Sequence, residues 1–398
     1  VIQAADLYQH PNALAPDYSE FQVGERLLLT GHSHQAWPDR GFDGQARAWR
    51  DAAKHVDQKW ELAFAAAERV RQGYATLLDD ASERIALGAN THELLVRFLS
   101  GLALRERPRI VTTDGEFHTL RRQLDRLAEE GIEIVKVSSA SPDKIPERLI
   151  EAIDDRTAAV FVSCVLYENA RIVSGIGDVL TAAQRVGAEL VVDSYHALNV
   201  VPFRLTEEGL NGAYVVGGGY KYCQLGEGNA FLRFPAECAM RPIVTGWYSE
   251  FSALSEGSAQ TVVYGAGPDR FAGATYDPTS HYRAAAVFDF FEERRLAPEL
   301  LREVSQHQVG LLAGAFDKLD LGPELMTRDR SASLDETGGF LALETPFAND
   351  VWRSLLARGV HTDYRGTTLR LGPAPYLSDH QLVMAMDALA DVAFELRG

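Results

Sequence analysis

The sequence predicts an α/β protein, with a mostly parallel sheet sandwiched by helices and a smaller α+β domain at the C-terminal end. Two observations carry this expectation. Short Val- and Ile-rich runs alternate with amphipathic stretches through the first part of the chain, and such strand–helix–strand alternation builds parallel sheets covered on both faces. After about residue 280 the pattern changes to long helical stretches separated by a few short strands.

Each element follows from its local pattern. RIVTTD (109–114), EIVKVS (133–138), TAAVFVSCV (157–165) and ELVVDSYH (189–196) read as buried strands bounded by turn residues. LNGAYVV and NAFLRF read as two more. The helical patterns between them are HTLRRQLDRLAEEG, PDKIPERLIEAI and DVLTAAQRVG, two of them closed by a C-terminal Gly. The segment 247–280, rich in Gly, Ser and Tyr, reads as a long functional loop or crossover. Beyond it, HYRAAAVFDFFEERRLAPELLREVSQHQVGLLAGAFDKL is long and helical. GGFLALE, VHTDY and TLRLGP then read as strands, with FANDVWRSLLARG and DHQLVMAMDALADVAFEL as helices.

Composition narrows the function. A chain of 398 residues suits one large domain plus a smaller one. Its 39 basic and 56 acidic residues give a net charge of −17, which repels nucleic acid and anionic membranes, so neither is expected as a partner. No apolar run approaches the roughly 18 residues of a membrane span. The first residues, VIQAADLYQH, lack the basic and apolar regions of a signal peptide. Cys164, Cys223 and Cys238 form no CxxC pair, so a reducing cytoplasm is the expected compartment.

In parallel sheets, ligands bind beyond the carboxyl ends of the strands, so the residues there are the candidates. RIVTTD leads into GEFHT and Phe117. ELVVDSYH supplies Asp193 and His196. AYVVGGGYKY supplies Tyr220 and Lys221. IALGANTHELLVRFL places Asn90, Thr91 and His92 at a helix start, where a capping side chain and free N–H groups suit a phosphate. Pyridoxal phosphate explains this assortment. It needs a lysine for its aldehyde, an acid at the pyridine nitrogen, a flat apolar group over the ring and a phosphate cradle. Lys221, Asp193, Phe117 and the Thr91 turn supply one of each. Packing alone also accounts for Phe117, and plain capping for Thr91. His118 and His196 flank the expected ring, and either tunes the cofactor or accepts a hydrogen bond. The spacing of His32 and His34 is compatible with metal, but no third and fourth ligand accompanies them, and no metal is expected.

DSYHALNVVPFRL, GGGYKYCQLGEGNAFLRF, TGWYSEF, FAGATYDP and TTLRLGPAPYL together resemble the class V aminotransferase family of fold-type I pyridoxal-phosphate enzymes, and within it most closely kynureninase. The resemblance covers nearly the whole chain. It implies a seven-stranded, mostly parallel sheet. It divides the chain into an N-terminal segment (1–40) packing near the active site and small domain, a large cofactor domain (41–275) and a small α+β domain (276–398). It also implies a homodimer with shared active sites. Residue by residue, it implies that Phe117 stacks on the cofactor, Trp247 helps hold the phosphate, and Thr275 reaches the neighbouring subunit's phosphate. It implies that Arg370 clamps the substrate carboxylate, and Tyr167 matches a substrate-side tyrosine. The implied reaction on an amino acid is hydrolytic Cβ–Cγ cleavage, giving alanine and an anthranilate. Aminotransferase, lyase and epimerase reactions use the same cofactor.

The sequence departs from the kynureninase pattern in three places. Phe117-His118-Thr119-Leu120 lacks the aspartate that supports the pyridine nitrogen in that pattern. Gly31-His32-Ser33-His34 replaces a Gly-Asn-Ser segment beside the substrate, which makes His32 and His34 substrate-side candidates. Leu166 replaces an Asn.

Overall fold

The computed structural model describes residues 2–256 and 261–396. Seven strands form the central sheet. They are β2 (Ile85–Gly88), β3 (Arg109–Thr113), β4 (Glu133–Val137), β5 (Thr157–Ser163), β6 (Glu189–Asp193), β7 (Tyr214–Gly218) and β8 (Ala230–Arg233). Their order is β2-β8-β7-β6-β5-β3-β4, and β8 runs antiparallel to both of its neighbours while β3 to β7 are mutually parallel. The chain winds outward to β4 on one side of β3 and returns to β5 on the other. The crevice beyond the carboxyl ends of β3 and β5 is therefore the topological switch point.

The strand pattern explains the two covered faces. All seven residues of β5 are buried, as a central strand with helices on both sides requires. Ile110, Phe161, Val191 and Val216 point to one face and pack with Leu94, Phe98, Leu120 and Leu124 of helices Thr91–Ser100 and His118–Glu129. Val111, Val160, Val162, Val192 and Val215 point to the other face, in the core that also holds Leu149, Val179 and Val70. Helix Ile176–Val186 ends as its sequence predicts, on Gly187 in the left-handed region at φ 71°.

Two helices ahead of the sheet, Arg40–His55 and Lys59–Leu78, had no counterpart in the sequence reading. The predicted long helix over 281–319 is two helices, Thr279–Arg294 and Pro298–Lys318. Arg295 takes a left-handed conformation and Pro298 starts the second helix, so the apolar pattern continues while the backbone turns. The first of the pair lies on the two early helices, joined to them by the Arg69–Asp289 and Arg40–Glu293 ion pairs. The 247–280 segment contains the 3₁₀ stretches Trp247–Glu256 and Gly267–Phe271, and residues 257–260 lie outside the described residues.

Toward the C-terminus, β9 (Leu341–Glu344), β11 (Asp363–Arg365) and β12 (Thr368–Leu371) form an antiparallel sheet in the order β11-β12-β9. The N-terminal β1 (Leu27–Leu28) pairs in parallel with β10 (Val360–His361), and Thr30 bridges to Gly372. This pairing carries residues 31–37 back over the carboxyl end of the large sheet, where the Gln35 amide donates to Tyr220 O. No helix of the described residues is long and apolar enough to cross a membrane.

Candidate active site

A cavity of about 310 Å³ opens at the switch point. Nine of the sequence-predicted site residues line it: Asn90, Thr91, His92, Phe117, Tyr167, Asp193, His196, Tyr220 and Lys221. They come from five separate parts of the sequence and meet because parallel strands deliver their carboxyl ends to one edge.

Lys221 follows β7 and is buried. Its Nζ lies 2.6 Å from His196 Nε2 and 5.3 Å from the centre of the Phe117 ring, with Tyr195 at 5.1 Å and Tyr220 at 5.9 Å. Burial brings its amine down to about 7, Asp193 opposing the fall and Arg370 adding to it. Near neutrality a large share of the amine is therefore unprotonated and nucleophilic. Close packing explains the three glycines before it. A Cβ on Gly218 would sit 2.0 Å from the Tyr195 hydroxyl, and on Gly217 or Gly219 it would meet Phe231 or Leu225 within 2.7 Å.

Asp193 ends β6, and its Oδ1 accepts from Tyr195 N at 2.9 Å. Burial raises its pKa; the Tyr195 amide and Lys221 oppose that. His196 is buried and held well below its usual pKa by burial and then by Lys221, so it is neutral. Its Nδ1 has no hydrogen-bond partner. Asn90 caps helix Thr91–Ser100 by accepting from Glu93 N at 3.0 Å. Thr91 Oγ1 is buried without a well-formed hydrogen bond beside the first free N–H groups of that helix. A lysine, an acid, an aromatic ring, an unpartnered histidine nitrogen and a threonine hydroxyl at a helix start are the groups pyridoxal phosphate requires, so the residues present fit it.

The remaining predicted residues sit elsewhere. His34 is exposed and stacks on Tyr220, ring centres 5.1 Å apart. His32 is fully buried, and its Nε2 lies 2.6 Å from Asp363 Oδ1. Arg370 is also buried, with Nε on Asp363 at 2.8 Å, Nη2 on its other oxygen, and Nη1 donating to Tyr167 O at 2.6 Å. The expected carboxylate clamp thus carries an internal carboxylate. Burial brings His32 to about 4, so it is neutral and donates from Nε2. Burial raises the Asp363 pKa, but the hydrogen bond from His32 and the charge of Arg370 outweigh it and hold Asp363 well below the usual carboxylate range. Trp247 and Thr275 are exposed and do not line this cavity; Thr275 borders a larger cleft with Gly88, Ala89 and Tyr276.

Two site residues escaped the sequence reading. Tyr195 lines the cavity between Asp193 and Tyr220, and its place inside DSYH was the available signal. Glu116, one residue before Phe117, is buried on hydrogen bonds from Thr113 and Ser163. Nothing in GEFHT distinguishes it from an exposed turn residue.

No family model matches the chain. It is similar to the uncharacterized aminotransferase YcbU of Bacillus subtilis (strain 168), 22% identical over 343 residues that span 85% of this chain and 87% of that one. Among solved structures, the apo cysteine desulfurase of Thermococcus onnurineus NA1 superposes with a TM-score of 0.81 at 16% identity, over 97% of this chain and 98% of that one. The cystine C-S lyase C-DES, in complex with its product cysteine persulfide, gives 0.81 at 14% identity over 93% and 98%. The Escherichia coli cysteine desulfurase CsdA gives 0.77 at 17% over 100% and 99%. At these identities the likeness is one of architecture: the chain has the α/β fold of the fold-type I pyridoxal-phosphate enzymes, with a C-terminal α+β domain.

Proposed function

We propose that the chain is a pyridoxal-phosphate enzyme acting on an amino acid, with kynureninase-like hydrolytic Cβ–Cγ cleavage as its reaction. The observation that carries the cofactor is the buried Lys221 amine, brought to about 7 and ringed by Phe117, Tyr195 and Tyr220. The similarity to an aminotransferase and to cofactor-bound C-DES supports the same reading.

When bound, pyridoxal phosphate supplies an electron sink for charge developing at the substrate Cα. Lys221 would hold the aldehyde and, once displaced by the substrate amine, would be placed to move the α-proton. Asp193 would keep a bound pyridine nitrogen protonated. His196 Nδ1, Thr91 Oγ1 and the helix start at Asn90, Thr91 and His92 offer polar contacts to the cofactor's oxygens. Phe117 would cover the ring. Water adds to the substrate's γ-carbonyl carbon, so that Cγ leaves as the carboxyl of the anthranilate, and Tyr220 would give a proton to Cβ of the three-carbon fragment that becomes alanine. The substrate carboxylate docks toward Arg370 and exchanges with Asp363; Arg365, partly exposed and 3.5 Å from Asp363, is the second cation at that edge. Trp247 helps hold the phosphate, and Thr275 reaches the phosphate of a second copy, in a homodimer.

The test is product analysis with L-kynurenine and 3-hydroxykynurenine. Alanine together with anthranilate, or its hydroxy form, is expected; no product from either removes the hydrolase reading and leaves the cofactor reading standing. A class V aminotransferase or C–S lyase is the second reading, favoured by the relatives' names. A desulfurase that uses its own thiol is disfavoured. Among the described residues no cysteine lines the cavity, Cys164 and Cys223 are buried with their thiols pushed up by burial, and Cys238 touches the Tyr214 hydroxyl at the opposite end of β7.

A further inference from the structure

We propose that Glu116, held by Ser163 on the strand beside Asp193, is a second acid behind the Asp193 site. The inference rests on the pyridoxal-phosphate reading. Glu116 is 3% exposed, and among the described residues no Lys, Arg or His pairs with it. Its Oε1 accepts from Thr113 Oγ1 at 2.7 Å and from Ser163 N at 3.2 Å, and its Oε2 accepts from Ser163 Oγ at 2.6 Å. Ser163 is the register partner of Asp193 on the neighbouring strand, and both line the cavity. Leu120 packs in the apolar cluster under helix His118–Glu129 and presents an apolar surface to the cavity, with no acid.

A buried carboxylate without a cation is costly, and packing gains nothing from it. Burial brings Glu116 to about 7; the hydrogen bonds from Ser163 and Thr113 lower it, and the charge of Asp193 raises it. The ionisable groups around it are Asp193 on β6, the Cys164 thiol after β5, Lys221 beyond Asp193 and His118 on its own segment. Below its midpoint Glu116 is neutral, and Asp193 alone faces the ring nitrogen. Above it, a second negative charge stands behind Asp193 and strengthens the site's hold on a protonated heteroaromatic nitrogen.

The experiment is nitrogen-15 NMR of the full-length protein loaded with pyridoxal phosphate labelled at the ring nitrogen, titrated upward from pH 6. Glu116→Gln is expected to lower the nitrogen's deprotonation midpoint by about one pH unit, a tenfold loss of proton affinity. Ser163→Ala, which removes a hydrogen bond that favours ionised Glu116 and leaves both carboxyls, is expected to lower it by less in the same direction. Midpoints equal to the parent's in both variants overturn the proposal. A parent protein that takes up no labelled cofactor overturns the cofactor reading, and this inference with it.

Discussion

The cavity floor and the cluster around Arg370 are both buried and both charged, but they settle their charges in opposite ways. Around Arg370 the accounts are closed: Asp363 takes two guanidinium hydrogen bonds and one from neutral His32, and Tyr167 O takes a third from Arg370. On the floor they are open. Lys221 on the floor and Glu116 behind it both come to about 7, His196 Nδ1 lacks a partner, and Thr91 Oγ1 lacks a well-formed hydrogen bond. Groups poised near neutrality with spare hydrogen-bonding capacity are suited to proton transfer and to a ligand. A closed network fixes geometry and yields its groups only by exchange. The floor therefore holds the groups suited to the proposed chemistry, and the Arg370 cluster ties the small α+β sheet beside it.

Removing Lys221 sharpens this contrast most. Lys221→Ala is expected to cut turnover of any amino-acid substrate by at least about 10²- to 10⁴-fold, the range of a lost acid–base group, while leaving the fold intact. Stability and kcat/KM measured together check this. A variant retaining more than a tenth of the parent rate would mean that the floor is not the reaction centre.

Breaking the closed cluster has the reverse signature. Asp363→Asn leaves Arg370 without its counter-charge and is expected to cost about 3 kcal/mol of stability, read by denaturant unfolding. The cluster also sets an acid limit. His32 comes to about 4 in the folded protein, below its unfolded value, so its contribution is whole above about pH 6.5 and is lost as pH falls toward 4. Stability is expected to decline by roughly 3 kcal/mol across that window, and less in His32→Gln. A stability profile in His32→Gln that superimposes on the parent's would break this assignment.

Smaller effects probe the margins. Thr275→Ala, in the cleft outside the cavity, is expected to weaken cofactor affinity about tenfold if it serves a second copy's phosphate. Affinity measured beside the sedimentation mass tests both halves, and unchanged affinity in a confirmed dimer removes the role. Cys223→Ala is expected to change stability by about 1 kcal/mol and turnover not at all, because its thiol is buried and off the cavity. A loss of turnover would reopen thiol chemistry.

The two regions also differ in how far the sequence revealed them. Asp193, His196, Tyr220 and Lys221 were legible because Asp193 ends a strand of a parallel sheet and the others follow just beyond such ends, which converge whatever lies between them. The strands themselves were legible from their Val- and Ile-rich runs. The Arg370–Asp363 pairing was not. It joins two strands of a three-stranded sheet through a register that hydrophobic pattern leaves open, and it meets His32 across 331 residues of chain. Glu116 was hidden for a related reason: its burial comes from Thr113 and Ser163, and only the folded β3–β5 pair brings Ser163 to it. The helix break at Arg295 was missed because an apolar repeat can run through a turn that one left-handed residue makes.

The most direct test of the account is to incubate the protein with pyridoxal phosphate, reduce it with borohydride and map the modified peptide by mass spectrometry. The account predicts one pyridoxyl-phosphate group per chain, on Lys221 in GGGYKYCQLGEG. A label on any other lysine, or none at a cofactor concentration that saturates absorbance, would contradict it.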